Sequence, residues 1–352
     1  MQIAILTDTH FGARNDSPQF IEYFLDFIEN QFLPECEKRG ITTILHLGDL
    51  MDRRKFVNFS TLNHVRKRFI EKVQEKNMVL YCLIGNHDTY YKNTNNVNSL
   101  KELFGERYTS FIPIETPTEV EFGSKKFALI PWINKENKEE YDAFISKSEA
   151  SIVCGHFELN GYEVLRGVKF EGGMEDTSLR RFDKVLSGHF HMRHRKNNIH
   201  YLGTPYQITF SDLHEKKGFY VYDTESDEME FIENLSRMFL SIDYSDDLDI
   251  EDYSIYENKF IKMFVRGKKS QGKLDSVVEN LYDAKVGSLT IIEEDAEKIE
   301  DAEVADMSLD TLSLIYKEAE DFYNNIEGIP VSKLKRLMQD IYMEALSSDE
   351  QQ

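Results

Sequence analysis

Between Asp8 and His191 the chain runs five times from a short apolar stretch straight into a cluster of Asp, Asn or His, and no other feature narrows its folding options as much. The stretches Ile3–Leu6, Thr43–Leu47, Met78–Ile84, Ser151–Cys154 and Lys184–Leu186 are bounded by turn residues and read as buried strands. Phe127–Ile130 and Ile199–Leu202 read the same way. Between the early strands, Phe20, Phe24, Leu25 and Ile28, then Leu62, Val65, Phe69, Ile70 and Val73, recur at helical spacing. The β-α-β-α-β order predicts an α/β fold with a largely parallel central sheet flanked by helices. Gly218–Asp223 and Met229–Ile232 look like late edge strands.

The five clusters are Asp8-Thr9-His10, Gly48-Asp49-Leu50-Met51-Asp52, Gly85-Asn86-His87-Asp88, Gly155-His156 and Gly188-His189-Phe190-His191. Each follows the C-terminal end of a strand, the edge of an open α/β sheet where ligands bind, so the clusters are expected to converge. One histidine of this kind is ordinarily a core or surface residue. Five such segments in series are not explained by chance. Carboxylate, imidazole and amide oxygen suit Mn²⁺, Fe²⁺ or Zn²⁺, and no cysteine cluster offers a thiolate site. The glycines allow the sharp turns that aim the next side chain into a crevice. His46 reads as a packed strand residue, and His64, His194, His200 and His214 fit no ligand spacing.

This set resembles the calcineurin-type metallophosphoesterase superfamily. The resemblance implies one metal held by Asp8, His10, Asp49 and His191, a second by Asp49, Asn86, His156 and His189, and catalysis by His87. Two ions about 3.5–4 Å apart would activate a water and neutralise charge on the attacking and leaving oxygens at phosphorus. Within that superfamily the runs Gly48–Asp52 with Arg53, Arg54 and Lys55 behind them, Ile84–Asp88, Leu129–Trp132, Gly155–Gly161, Ser187–His191 and Tyr201–Pro205 resemble the SbcD-type DNA repair nucleases, most closely their T-even phage branch. That family implies endonuclease and 3′-to-5′ exonuclease action, Mn²⁺, a homodimer, and a heterotetramer with an SbcC-type coiled-coil ATPase. Position 52 is Asp, as in the bacterial and phage branches, where other members carry histidine; Asp52 is expected to position substrate, handle a proton or hydrogen-bond a ligand histidine. A nucleotide or small-molecule phosphodiesterase and a metal-free scaffold of the same fold stay open as alternatives.

The 352 residues carry a formal charge of −21, which counts against nucleic acid, since lysine and arginine usually supply non-specific affinity. The acid is uneven, however. Arg53 and Arg54, Arg66 to Arg68, and Arg193 with Arg195 make local basic clusters, of which Arg53, Arg54, Arg193 and Arg195 follow metal motifs and are the candidate DNA contacts. Three cysteines without paired spacing fit a reducing cytoplasm, and the absence of a signal-like start or a long apolar run argues against secretion and membrane spanning.

The expected organisation is a nuclease domain over 1–235, a small α/β cap over 236–293, an acidic linker over 294–307 and two amphipathic helices over 308–352. The cap reads as a strand Lys259–Val265, a helix Leu274–Tyr282 and a strand Ser288–Ile292. The terminal helices carry Leu312, Tyr316, Ala319, Tyr323, Leu334, Leu337 and Ile341 at helical spacing, and these are the candidate ATPase contacts. Leu62, Val65 and Phe69, with Leu100, Leu103 and Phe104, form apolar stripes suited either to the core or to a twin copy of the chain.

Overall fold

Successive residues of a strand point to opposite faces, and here the two faces meet different cores. Along Lys125–Ile130, Phe127 and Leu129 join one apolar cluster while Ala128 and Ile130 join another. Ile152 and Cys154 divide from Val153 in the same way, and Leu186 from Val185. The first cluster also takes Ile3, Ile5, Leu45 and Leu83 from a separate sheet. Two sheets therefore share one apolar interior, in which each fully buried Ile, Leu or Phe contributes roughly 1.5–3 kcal/mol.

The computed structural model describes residues 1–266 and 269–294. The first sheet has six strands in the order Met229–Glu233, Gly218–Asp223, Gln2–Leu6, Thr43–His46, Val79–Leu83 and Phe111–Ile114. Its last four strands run parallel, with Ala4 opposite Ile44, Ile44 opposite Leu80, and Leu80 opposite Phe111; the other two are antiparallel. The second sheet is ordered His194–Lys196, Ile199–Tyr201, Lys184–Gly188, Ile152–His156, Lys125–Ile130 and Thr118–Phe122, parallel in the middle and antiparallel at both edges. The central sheets of the expected fold are thus two. The sequence pattern could not separate them, because strands buried on both faces look alike whichever sheet they join.

The first helical run starts at Pro18–Phe27, with proline in its first turn, and continues to Leu33–Arg39, where Gly40 ends it at φ 67°. The second spans Phe59–Val65 and Glu71–Glu75 and opens on Asn58, whose side chain accepts from the Ser60 N–H. Val65, Phe69, Leu100 and Phe104 are fully buried in this chain, so its own core, not a twin copy, accounts for most of the two apolar stripes.

A third sheet places Phe239–Tyr244, Phe260–Arg266 and Ser288–Glu294 side by side, with helix Gln271–Asp283, around a separate apolar cluster. The strand Phe239–Tyr244 went unseen in the sequence because its end merges into a run of acids, yet Phe239, Ile242 and Tyr244 are buried. Phe239 and Phe260 pack against Phe20 of the first helix. The buried Gln207 side-chain oxygen accepts from Met238 N and Phe239 N, both at 2.9 Å. Residues 295–352, including Leu312, Tyr316, Ala319, Tyr323, Leu334, Leu337 and Ile341, lie outside the described residues.

Candidate metal centre

The strand Gln2–Leu6 delivers Asp8 and His10, Thr43–His46 delivers Asp49, and Val79–Leu83 delivers Asn86 and His87. From the second sheet, Ile152–His156 ends on His156, and Lys184–Gly188 leads into His189 and His191. Asp8, His10, Asp49 and His189 adopt positive φ (51°, 43°, 55° and 86°), a region that ordinary residues reach at a cost of order 1–3 kcal/mol each. Neighbouring bonds offset the strain. His189 N donates to both oxygens of Asp8 at 3.1 Å, and Thr7 Oγ1 donates to Asp8 Oδ2 at 2.6 Å. Two glycines make the approach possible: a Cβ on Gly85 would stand 2.2 Å from Asp49 Oδ1, and one on Gly188 2.1 Å from Thr7 Oγ1.

Three groups of side chains bring ligand atoms within 4.8 Å of one another: Asp8, His10 and His191; Asp49, His156 and His189; and His10, Asp49 and His87. Asp49 Oδ2 lies 3.3 Å from His156 Nε2 and 3.6 Å from His10 Nε2. Asn86 Oδ1 meets His156 Nε2 and His189 Nδ1, each at 3.0 Å. His10 Nε2 faces His191 Nε2 at 3.0 Å. Two imidazole nitrogens opposed this closely, with carboxylate oxygens converging on them, form a donor set that fits a divalent cation. His156 Nδ1 lies 2.8 Å from Leu47 O, and since a carbonyl can only accept, Nδ1 carries the proton and Nε2 is aimed inward.

Burial alone would depress His10, but the carboxylates of Asp52, Asp49 and Asp8 lift it to about 9; His156 reaches about 9 against the same burial through Asp49 and Asp8. Asp49 resists its burial and is held well below the carboxylate range by His156, His87 and His10. His191 is depressed by burial and by the facing His10. Burial keeps His87 low as well. Its Nδ1 meets the Asp52 carbonyl at 2.5 Å, while the Asp52 carboxylate lies 3.2 Å from His10 Nδ1. Asp52 thus braces two histidines at once.

Asp88 closes the third cluster, and no motif in the sequence assigns it a role. Its buried carboxylate accepts the backbone N–H groups of Asp49, Gly85, Leu50 and Met51 at 2.8–3.2 Å and so clamps the Asp49 turn to the Asn86 turn. Burial and the Asp49 charge push it up to about 7, against the Gly85 and Met51 N–H groups. His46 sits 3.0 Å from Thr9 Oγ1, fully buried and depressed to about 3, a packed strand residue as expected. The candidate DNA contacts are engaged with the chain itself. Arg53 pairs with Asp16 at 3.3 Å, Arg193 lies over the Phe231 ring at 4.2 Å, and Arg195 donates to Asn197 O at 3.0 Å. Arg54 is half-buried.

A match to the family described as calcineurin-like phosphoesterase spans residues 1–193. The chain belongs to that family. This phosphoesterase is 31% identical over 349 residues to exonuclease subunit 1 of Enterobacteria phage T4, covering 98% of the chain and 99% of the relative. It is 25% identical over 255 residues to the SbcD component of the SbcCD nuclease of Staphylococcus epidermidis, covering 65% of this chain and 67% of that one. Among solved structures, an archaeal phosphodiesterase matches 66% of the phosphoesterase at 16% identity and a TM-score of 0.32, over the whole of its own chain. The purple acid phosphatase PPD1 of yellow lupin matches 56% at 14% identity and a TM-score of 0.34, over 39% of its own chain. Members of the family are metal-dependent, and the histidine and aspartate groups of this phosphoesterase suit divalent metals. Among the described residues no helix is long and apolar enough to cross a membrane.

Proposed function

We propose that this phosphoesterase is the nuclease component of a DNA double-strand-break processing complex, cutting DNA as an endonuclease and a 3′-to-5′ exonuclease in the cytoplasm of the cell that expresses it. The reading is carried by three candidate ligand groups converging around Asp49 and His10, with His87 alongside, in a chain that aligns end to end with an exonuclease subunit. Asp8, His10, Asp49 and His191 would hold one ion and Asp49, Asn86, His156 and His189 the other, with Mn²⁺ the expected metal. Bound there, the ions would supply an activated water and charge neutralisation at phosphorus. His87 presents Nε2 to the phosphoester, to steady its charge or protonate the leaving oxygen. Asp52 holds His10 and His87 in register. The nuclease domain is assigned to 1–235, the cap to 236–293 and the linker to 294–307. The segment 308–352 docks an SbcC-type coiled-coil ATPase in an assembly with two copies of each chain.

The test is hydrolysis of linear duplex DNA and of bis-p-nitrophenyl phosphate with Mn²⁺, beside Asp49→Ala. Wild type is expected to cleave both, and Asp49→Ala to lose both activities together with most bound metal. Cleavage of the small diester alone would overturn the nuclease assignment, and an active Asp49→Ala with two metals bound would overturn the site.

A further inference from the structure

The motif Leu129–Trp132 has no part in the proposed chemistry, yet it ends in the only tryptophan of the chain, set against the candidate metal centre. The Trp132 ring centroid lies 5.2 Å from that of His189 and 5.9 Å from that of His156. The residue is half-buried, so its ring is neither sealed in a core nor loose on the surface. Its backbone is fixed from three sides. Trp132 N donates to Ile84 O at 2.8 Å, just before the Asn86 turn, and Trp132 O accepts from Asn95 Nδ2 at 2.9 Å and Asn137 Nδ2 at 3.0 Å. Asn134 Nδ2 then ties Asn95 Oδ1 at 2.8 Å. Among the described residues these bonds use only the backbone, leaving the ring held by packing. The segment that supplies Asn95 also carries Tyr90 and Tyr91, 39% and 51% exposed, with ring centroids 4.7 Å apart.

Charge makes this aromatic edge matter. At −21 the chain is poorly equipped to hold a polyanion by phosphate neutralisation alone, and Arg53, Arg193 and Arg195 each already contact the chain, at Asp16, Phe231 and Asn197. A nucleobase stacked on an aromatic face needs no positive charge, and every base offers such a face. Resting on the nuclease reading above, we propose that Trp132 is a substrate-binding residue whose indole stacks the nucleobase beside the scissile phosphodiester, binding single-stranded ends without regard to sequence.

The experiment uses the full chain with Mn²⁺ and compares wild type, Trp132→Ala and Trp132→Phe on single-stranded oligonucleotides. These carry either all their bases or one abasic position, stepped away from the cleavage point. On the intact oligonucleotide Trp132→Ala should raise KM about tenfold with kcat within about threefold, and Trp132→Phe should restore most of the loss. The KM penalty of Trp132→Ala should vanish at the one abasic position whose base would have stacked. A non-hydrolysable phosphorothioate oligonucleotide should quench wild-type tryptophan fluorescence. Bound Mn²⁺, measured by elemental analysis, should be the same in all three proteins. An equal penalty on intact and abasic strands, or loss of Mn²⁺ from Trp132→Ala, would overturn the proposal and make Trp132 a prop for His156 and His189. If wild type cleaves the intact strand and Trp132→Ala does so with unchanged KM, stacking fails while the nuclease reading stands. No cleavage by wild type overturns both.

Discussion

His87 is placed by two bonds of different kinds: its N–H donates to Asp49 Oδ1 at 2.8 Å, and its ring is tied to the Asp52 carbonyl. The first fixes the backbone and the second the tautomer, so Nε2 is the atom left for a substrate. The residue also lies within ligand distance of His10 and Asp49. His87→Gln separates the two roles. We expect turnover to fall by about 10²–10⁴, the range for a lost acid–base group, with both metals retained on elemental analysis; a missing metal would make His87 a ligand. Much of this was legible in the sequence, because strand ends followed by Asp, Asn and His can be read one residue at a time. Asp88 was not, since its partners are backbone N–H groups that nearly every residue owns and no motif encodes.

At the scale of elements, the parallel strands and the two long helical runs followed from periodicity, whereas the division into two sheets and the strand Phe239–Tyr244 did not. A strand's alternation says that both faces are covered without saying by what, and the acids after Tyr244 hide a strand whose apolar residues are few. The tail poses a separable question. Its apolar positions from Leu312 to Ile341 are assigned above to a partner, which predicts that a chain ending at Glu303 keeps Mn²⁺-dependent cleavage of single-stranded substrates but loses co-purification with the ATPase. Sedimentation of the full-length complex should give the mass of two copies of each chain. A truncated chain that still co-purifies, or that unfolds, would return that segment to the core.

At the scale of the molecule, the candidate ligands are split between layers: Asp8, His10, Asp49 and Asn86 from the first sheet, His156, His189 and His191 from the second. Bonds already cross the divide, from His189 N to Asp8 and from the His156 ring to Leu47 O. An ion bound by both layers favours the folded chain by mass action, about 2.7 kcal/mol at a free concentration one hundred times Kd. Mn²⁺ should therefore raise the unfolding midpoint in calorimetry and EDTA return it, with Asp49→Ala insensitive to either; an unmoved midpoint in wild type would argue against a site shared by the layers. The same split gives the interior a second duty. Packed sheets sit about 10 Å apart, a gap set by the side chains that fill it, here Phe127, Leu129 and Leu186 against Ile3, Ile5 and Leu45. Those side chains act as a spacer gauge for the reacting centre, whose tolerance is narrower than that of the fold, so a swap of volume there would detune chemistry while the chain still folds.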